Sequence, residues 1–171
     1  RAPPGKAARD GKLDDQARRI LEIVTFTGFS ALSLASALTE DGILHTIELR
    51  EPDAATAQGF FDRSARGKQI KLHVGKALDI IPTLDETWDL VFIDADKPAY
   101  IEYFKLVLPK LRRNGFILAD NVFFHGQVLD PATKNKSARG IQAFNEFVWK
   151  NEEIDKMMIT LRDGLYLIRK L

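Results

Sequence analysis

The sequence predicts a doubly wound α/β fold, an open and mostly parallel sheet closed at its C-terminal edge by an antiparallel hairpin. Three observations predict it. Short apolar runs without helical period alternate along the chain with segments that carry one. Two of those runs, Leu90-Val91-Phe92-Ile93 and Gly115-Phe116-Ile117-Leu118-Ala119, stop abruptly at Asp94-Ala95-Asp96-Lys97 and Asp120-Asn121. Buried parallel strands read this way when they deliver polar groups to the carboxyl edge of a sheet. Finally, two apolar runs flank Arg162-Asp163-Gly164 near the C-terminus, the pattern of a hairpin.

The elements follow in order. Residues 1–16, rich in Pro, Gly and charge, are expected to form a flexible N-terminal segment, and residues 17–171 a single domain. Ile20 to Thr25 reads as the first strand and Thr27 to Ser30 as a turn. Ser30 is placed to cap a helix over ALSLASALTE, residues 31–40. Leu44 to Leu49 is the second strand, with a helix over roughly Asp53 to Ser64, and Ile70 to Val74 is the third. Gly75 opens a turn before a short helix ending near Leu84. Trp88 to Ile93 is the fourth strand. Asp96 is an expected N-cap before Pro98, and Ala99 to Leu111 carries a helical stripe at Tyr100, Ile101, Phe104, Val107 and Leu108. Phe116 to Ala119 is the fifth strand, His125 to Ser137 a polar loop, and Gly140 to Lys150 a helix. Met157 to Leu161 and Leu165 to Lys170 form the hairpin.

Composition narrows the function. With 171 residues the chain can bury a real core, and a net charge of +1 gives no field directed at nucleic acid or membrane. The absence of cysteine removes disulfides, thiolate chemistry and Cys-based zinc sites together, and fits a reducing, cytoplasmic setting. No apolar run approaches the roughly 20 residues that cross a bilayer.

Three constellations carry candidate chemistry. The ends of neighbouring strands lie about 4.8 Å apart, so Asp94, Asp120 and Asn121 can meet at one hard cation, with Lys97 one step away. All-oxygen ligands suit Mg²⁺, Ca²⁺ or Mn²⁺. The competing assignment for these residues is turn and cap chemistry. The second constellation, Glu22 to Ser30 with Gly28 in its turn, sits at the first strand-to-helix junction, where doubly wound folds hold cofactors. Its spacing is not G-x-G-x-x-G, which disfavours a dinucleotide and leaves an ordinary βα turn open. Glu48, ending the second strand, suits a pair of ribose hydroxyls or a solvated charge.

In this order, LEIVTFTGFSAL, TIELREPDAATA, VFIDADKPAY, ILADNVFFHGQV and DGLYLIRK resemble the motifs of the cation-dependent class I O-methyltransferases, the caffeoyl-CoA and catechol O-methyltransferase group. The resemblance runs from about Ala17 to Leu171. It implies a Rossmann-like sheet with S-adenosylmethionine across the carboxyl ends of strands one to four. Carried over by position, Glu22, Thr25, Phe26, Gly28 and Ser30 would line the cofactor, and Glu48 would take its ribose. Gly75, Lys76 and Ala77 would flank its adenine, with Asp94 near both cofactor and metal. Asp94, Asp120 and Asn121 would hold Mg²⁺ or another hard divalent cation, and Lys97 would be the general base. A small vicinal-diol aromatic is the implied substrate, a homodimer the implied assembly, and neither membrane nor nucleic acid an expected partner.

Two departures qualify the resemblance. Val24 stands where the family usually has glycine, and the family's N-terminal helices have no counterpart in residues 1–16, which implies a segment truncated relative to the family. A cofactor-impaired, non-catalytic homologue therefore remains an alternative reading, as does a methyltransferase of the same fold acting on hydroxylated RNA bases.

Overall fold

A computed structural model describes residues 17–171; the expected flexible segment at 1–16 lies outside them. The strands are β1 (Ala17–Ile23), β2 (Leu38–Glu48), β3 (Ile70–Val74), β4 (Trp88–Ile93), β5 (Leu111–Asp120), β6 (Ile154–Ile159) and β7 (Leu165–Lys170). They form one sheet in the order β3-β2-β1-β4-β5-β7-β6. β1 to β5 pair in parallel, and β7 enters antiparallel between β5 and β6. This is the doubly wound arrangement expected, with the closing hairpin at the edge.

The helices are α1 (Phe29–Ala35), α2 (Glu51–Phe61), α3 (Ala77–Ile80), α4 (Tyr100–Val107) and α5 (Lys136–Lys150). Alternation along the strands divides the interior in two. Ile20, Leu44 and Ile70 pack with Ala31, Ala35, Ala57 and Phe61 of α1 and α2. Leu21, Ile23, Val91, Ile93 and Ile117 pack with Tyr100, Phe104, Ile141 and Phe144 of α4 and α5. Each strand of the parallel core is therefore apolar on both faces, which is why those runs showed no two-residue alternation.

Several boundaries differ from expectation for local reasons. Gly28, not Ser30, occupies the N-cap of α1, in the left-handed region at φ 88°, and Ser30 lies inside the helix. That helix ends at Ala35 rather than continuing to Glu40, and β2 begins at Leu38. The Gln69 side chain explains the early strand. It is buried, and its amide donates to the carbonyls of Thr39 (2.8 Å), Glu40 (3.3 Å) and Gly42 (2.9 Å), satisfying backbone that a helix would otherwise have paired. Asp96 does hold the cap position before the 3₁₀ turn Lys97–Ala99, but it makes no cap hydrogen bond. Its carboxylate instead accepts from Tyr103 Oη at 2.5 Å. α5 begins at Lys136 rather than Gly140, because Asn135 Oδ1 accepts from the amides of Ser137 (2.9 Å) and Ala138 (3.3 Å). Phe124–Leu129, inside the expected loop, is a 3₁₀ segment broken by positive φ at His125 and Gly126. No helix among the described residues is long and apolar enough to cross a membrane.

Candidate active site

β4 and β5 pair with Ile93 opposite Ala119, so Asp94 and Asp120 leave the sheet side by side at its carboxyl edge. Lys97 lies within reach of both segments. Its Nζ donates to Asp94 Oδ1 at 3.0 Å, to Asn121 Oδ1 at 3.0 Å and to Tyr100 Oη at 2.7 Å. The amine is largely shielded, its side chain being 11% exposed against 44% for Asp94. Tyr100 anchors it in turn, with its hydroxyl 3.0 Å from the Asp120 carbonyl and 3.3 Å from that of Ile93. Burial, reinforced by the nearby Asp94 charge, raises the pKa of this phenol, so it remains a donor. Asn121 sits at φ 59°, a conformation asparagine tolerates, and its backbone N–H donates to Asp120 Oδ1 at 2.7 Å.

The loop beyond Asn121 is tied to the β6–β7 turn. Val122 N donates to Gly164 O (3.1 Å), Phe123 N to Asp163 O (2.9 Å) and His125 N to Asp163 Oδ1 (2.6 Å). Gly164 has φ +82°, and a Cβ there would stand 2.6 Å from the Phe123 ring. His125 is exposed and lies 3.7 Å from Asp163 Oδ2.

The turn after β1 is built on buried polar groups. Thr46 Oγ1 donates to Glu22 Oε2 at 2.5 Å and accepts from Thr25 Oγ1 at 2.6 Å. Glu22 is fully buried and its Oε1 has no partner. Desolvation, with smaller help from the Asp94 and Glu48 charges, pushes its carboxyl up to about 7. Glu48, also buried, accepts from Phe26 N (2.8 Å) on one oxygen and Arg50 N (2.9 Å) on the other.

Two cavities open along the carboxyl edge. One, of about 410 Å³, is lined by Val24, Thr25, Phe26, Thr27, Phe29, Ser30, Phe92, Asp94, Asp120 and Arg162. The other, of about 280 Å³, is lined by Ile47, Leu49, Gly75, Lys76, Ala77, Leu78, Asp96, Ala99 and Tyr103, again with Val24. Of the residues singled out in the sequence, Thr25, Phe26, Ser30, Asp94 and Asp120 thus share the first cavity, and Gly75 and Ala77 the second. Lys97 and Asn121 join the first group through hydrogen bonds. Glu22, Gly28 and Glu48 line neither cavity; Gly28 and Glu48 bond the backbone of the turn, and Glu22 lies beneath it on Thr46. Among the described residues no three His, Asp or Glu side chains converge to hold a metal; the set here is two carboxylates and one amide. That donor chemistry fits a hard cation, because oxygens of Asp94 and Asn121 already gather within 3.0 Å of one positively charged group.

Sequence reasoning missed Tyr100, Thr46, Asp163 and Arg162. Tyr100 lies three residues after Lys97, but an apolar stripe claimed it for the core. Thr46 is a polar residue in the middle of a buried strand, a signal available in principle. Asp163 and Arg162 looked like turn chemistry only.

Comparison with known proteins identifies the family of the chain. The profile of a family described as O-methyltransferase matches residues 13–171. A catechol O-methyltransferase of Niastella koreensis is 39% identical over 150 residues, covering 85% of this chain and 68% of that protein. A probable caffeoyl-CoA O-methyltransferase of Dictyostelium discoideum is 31% identical over 91% of this chain and 70% of its own length. The crystal structure of the O-methyltransferase TomG from Streptomyces achromogenes, in complex with S-adenosylmethionine, superposes with a TM-score of 0.86 at 37% identity, covering 91% of this chain and 74% of that one.

Proposed function

The chain belongs to the O-methyltransferase family, and from that membership we propose that it transfers the methyl group of S-adenosylmethionine to one phenolic oxygen of a small vicinal-diol aromatic, with the help of a divalent cation. The observation that carries this reading is the meeting of Asp94, Asp120 and Asn121 at two adjacent strand ends with the Lys97 amine among them. The TomG complex supports the choice of methyl donor, and the catechol and caffeoyl-CoA relatives support the choice of acceptor.

In this reading the residues divide the work. The turn Thr25 to Ser30 and the second cavity, at Gly75 to Ala77, receive the two ends of the cofactor. Glu48 keeps lone pairs free beyond its two backbone partners for ribose hydroxyls. Asp94, Asp120 and Asn121 would hold Mg²⁺ or another hard divalent cation. When bound, that cation supplies Lewis acidity, making a phenol of pKa near 10 reactive at neutral pH. Lys97 is the group placed to take up the phenolic proton on Nζ, and Tyr100 keeps that nitrogen directed into the site. The carbon–oxygen bond then forms as the carbon–sulfur bond breaks, leaving S-adenosylhomocysteine. The rest is alignment of the oxygen with the sulfonium methyl, which the rigid strand ends provide.

The test is methyl transfer to catechol with and without EDTA. Chelation should abolish turnover and added Mg²⁺ restore it, while Asp120→Ala should lower kcat/KM by more than the roughly ten- to hundredfold that loss of a ligand's supporting partner costs. Turnover indifferent to chelation would rule out the proposed mechanism.

A further inference from the structure

We infer that Arg162 selects an acceptor bearing a carboxylate on the aromatic ring, so that the preferred substrate is an anionic diol. This rests on the methyl-transfer reading above and narrows its substrate class. Arg162 lines the same cavity as Asp94 and Asp120, yet among the described residues its guanidinium makes no hydrogen bond and no ion pair within 4.0 Å. Among the described residues lining this cavity it is the one cationic side chain, and Lys97 beside the cavity is engaged with Asp94 and Asn121. The Arg162 backbone is unusual as well, with φ 52°, a region that non-glycine residues seldom occupy. The turn that adopts it is tied down, since Asp163 and Gly164 bond the loop following Asn121. The arginine is therefore carried on a rigid corner at the cavity mouth, free to meet a ligand.

The other walls describe the ligand's body. Phe26 is 63% exposed and Phe29 82% exposed, and both line this cavity together with Phe92, so the turn that takes one end of the cofactor also turns apolar faces toward the acceptor beside it. Flat apolar walls of this kind suit an aromatic ring. The oxygens at Asp94 and Asp120 would face the diol through the metal ion, and Arg162 would face a substituent of opposite charge elsewhere on the ring. A planar guanidinium matches a carboxylate through two parallel hydrogen bonds. The methionine carboxylate of the cofactor offers the same chemistry, so the experiment must separate the two.

The acceptors are 3,4-dihydroxybenzoate and its neutral methyl ester. The wild-type protein should show a kcat/KM for the acid well above that for the ester. In Arg162→Gly, which the positive φ accommodates, the ratio of acid to ester should fall by roughly ten- to a hundredfold, through KM rather than kcat, as expected for loss of a charged hydrogen bond. Arg162→Lys should recover part of the ratio. Calorimetric titration should find S-adenosylmethionine affinity unaltered in both variants. Absence of an acid preference in the wild type, equal losses on both acceptors, or weakened S-adenosylmethionine binding would overturn the assignment. Failure of the methyl-transfer reading looks different: neither diol is methylated, and the assignment falls with it.

Discussion

Val24 lines both cavities at the carboxyl edge and no other residue does. Its branched side chain stands between the space beside Ser30 and the space beside Gly75, the two regions a single extended cofactor would have to bridge. Val24→Gly removes that wall. S-adenosylmethionine should then bind more tightly, by several-fold or more in calorimetric titration; equal or weaker binding would show that the cofactor passes the valine without hindrance. Legibility at this scale followed chemistry. Asp94, Asp120 and Asn121 stood out because each breaks an apolar run at its end. Tyr100 did not, because a phenol in a helical apolar stripe looks like any core aromatic, and its hydroxyl contacts depend on the backbone of β5, twenty residues away. Arg162 was hidden by its own turn, where charge next to Asp-Gly is the ordinary composition.

Among the elements, β3 and β4 were read to the residue, since short apolar runs bounded by polar groups leave little choice of ends. α1 and β2 were not, because the apolar period of ALSLASAL continues past the point where the chain changes course. What overrides it is tertiary: Leu38 pairs with Ala17, the register slips before Arg19 meets Ile43, and Gln69 closes the carbonyls of the slipped segment. Gln69→Ala should therefore cost about 1–3 kcal/mol, the usual range for stranding buried polar partners. Urea unfolding would register it as a lower midpoint at an unchanged slope; an unchanged midpoint would mean that water replaces the amide without loss. The loop Asn121 to Gly126 was equally unreadable, because four of its residues take positive φ and its amides are held by the distant 162–164 turn.

For the molecule as a whole, the fold class was legible and the strand order was not, since nothing in a strand names its neighbour. Helical crossovers of one hand allow several doubly wound orders, and long-range pairing selects among them. Two buried titratable groups also act at this scale. Glu22, raised to about 7 from 4.5, binds its proton more readily in the folded state, so its contribution to stability is full below pH 4.5 and is lost as pH rises toward 7. His45 does the opposite. Desolvation, the neighbouring His73 and then Lys71 and Arg19 outweigh Glu86 and lower its pKa to about 4, so its contribution is present above pH 6.5 and is lost as pH falls. His73, also lowered by desolvation, adds to that trend. Between pH 4.5 and 6.5 the two slopes oppose one another. Glu22→Gln should expose the histidine slope: stability by thermal or urea unfolding should fall more steeply than wild type as pH drops from 6.5 to 5. At pH 8 the same variant should gain relative to wild type by up to a few kcal/mol. Parallel curves for the two proteins would show that Glu22 is not protonated on folding.

The bonds joining Val122, Phe123 and His125 to Asp163 and Gly164 have a temporal consequence. On the ribosome, Asp94 and Lys97 emerge long before the strand that must slide between β5 and β6, and until that strand arrives the corner carrying Asn121 rests on its bonds from Lys97 and Asn145. A chain interrupted before residue 164 would therefore lack the partners that complete this corner, whose full set of bonds closes only as the final hairpin docks.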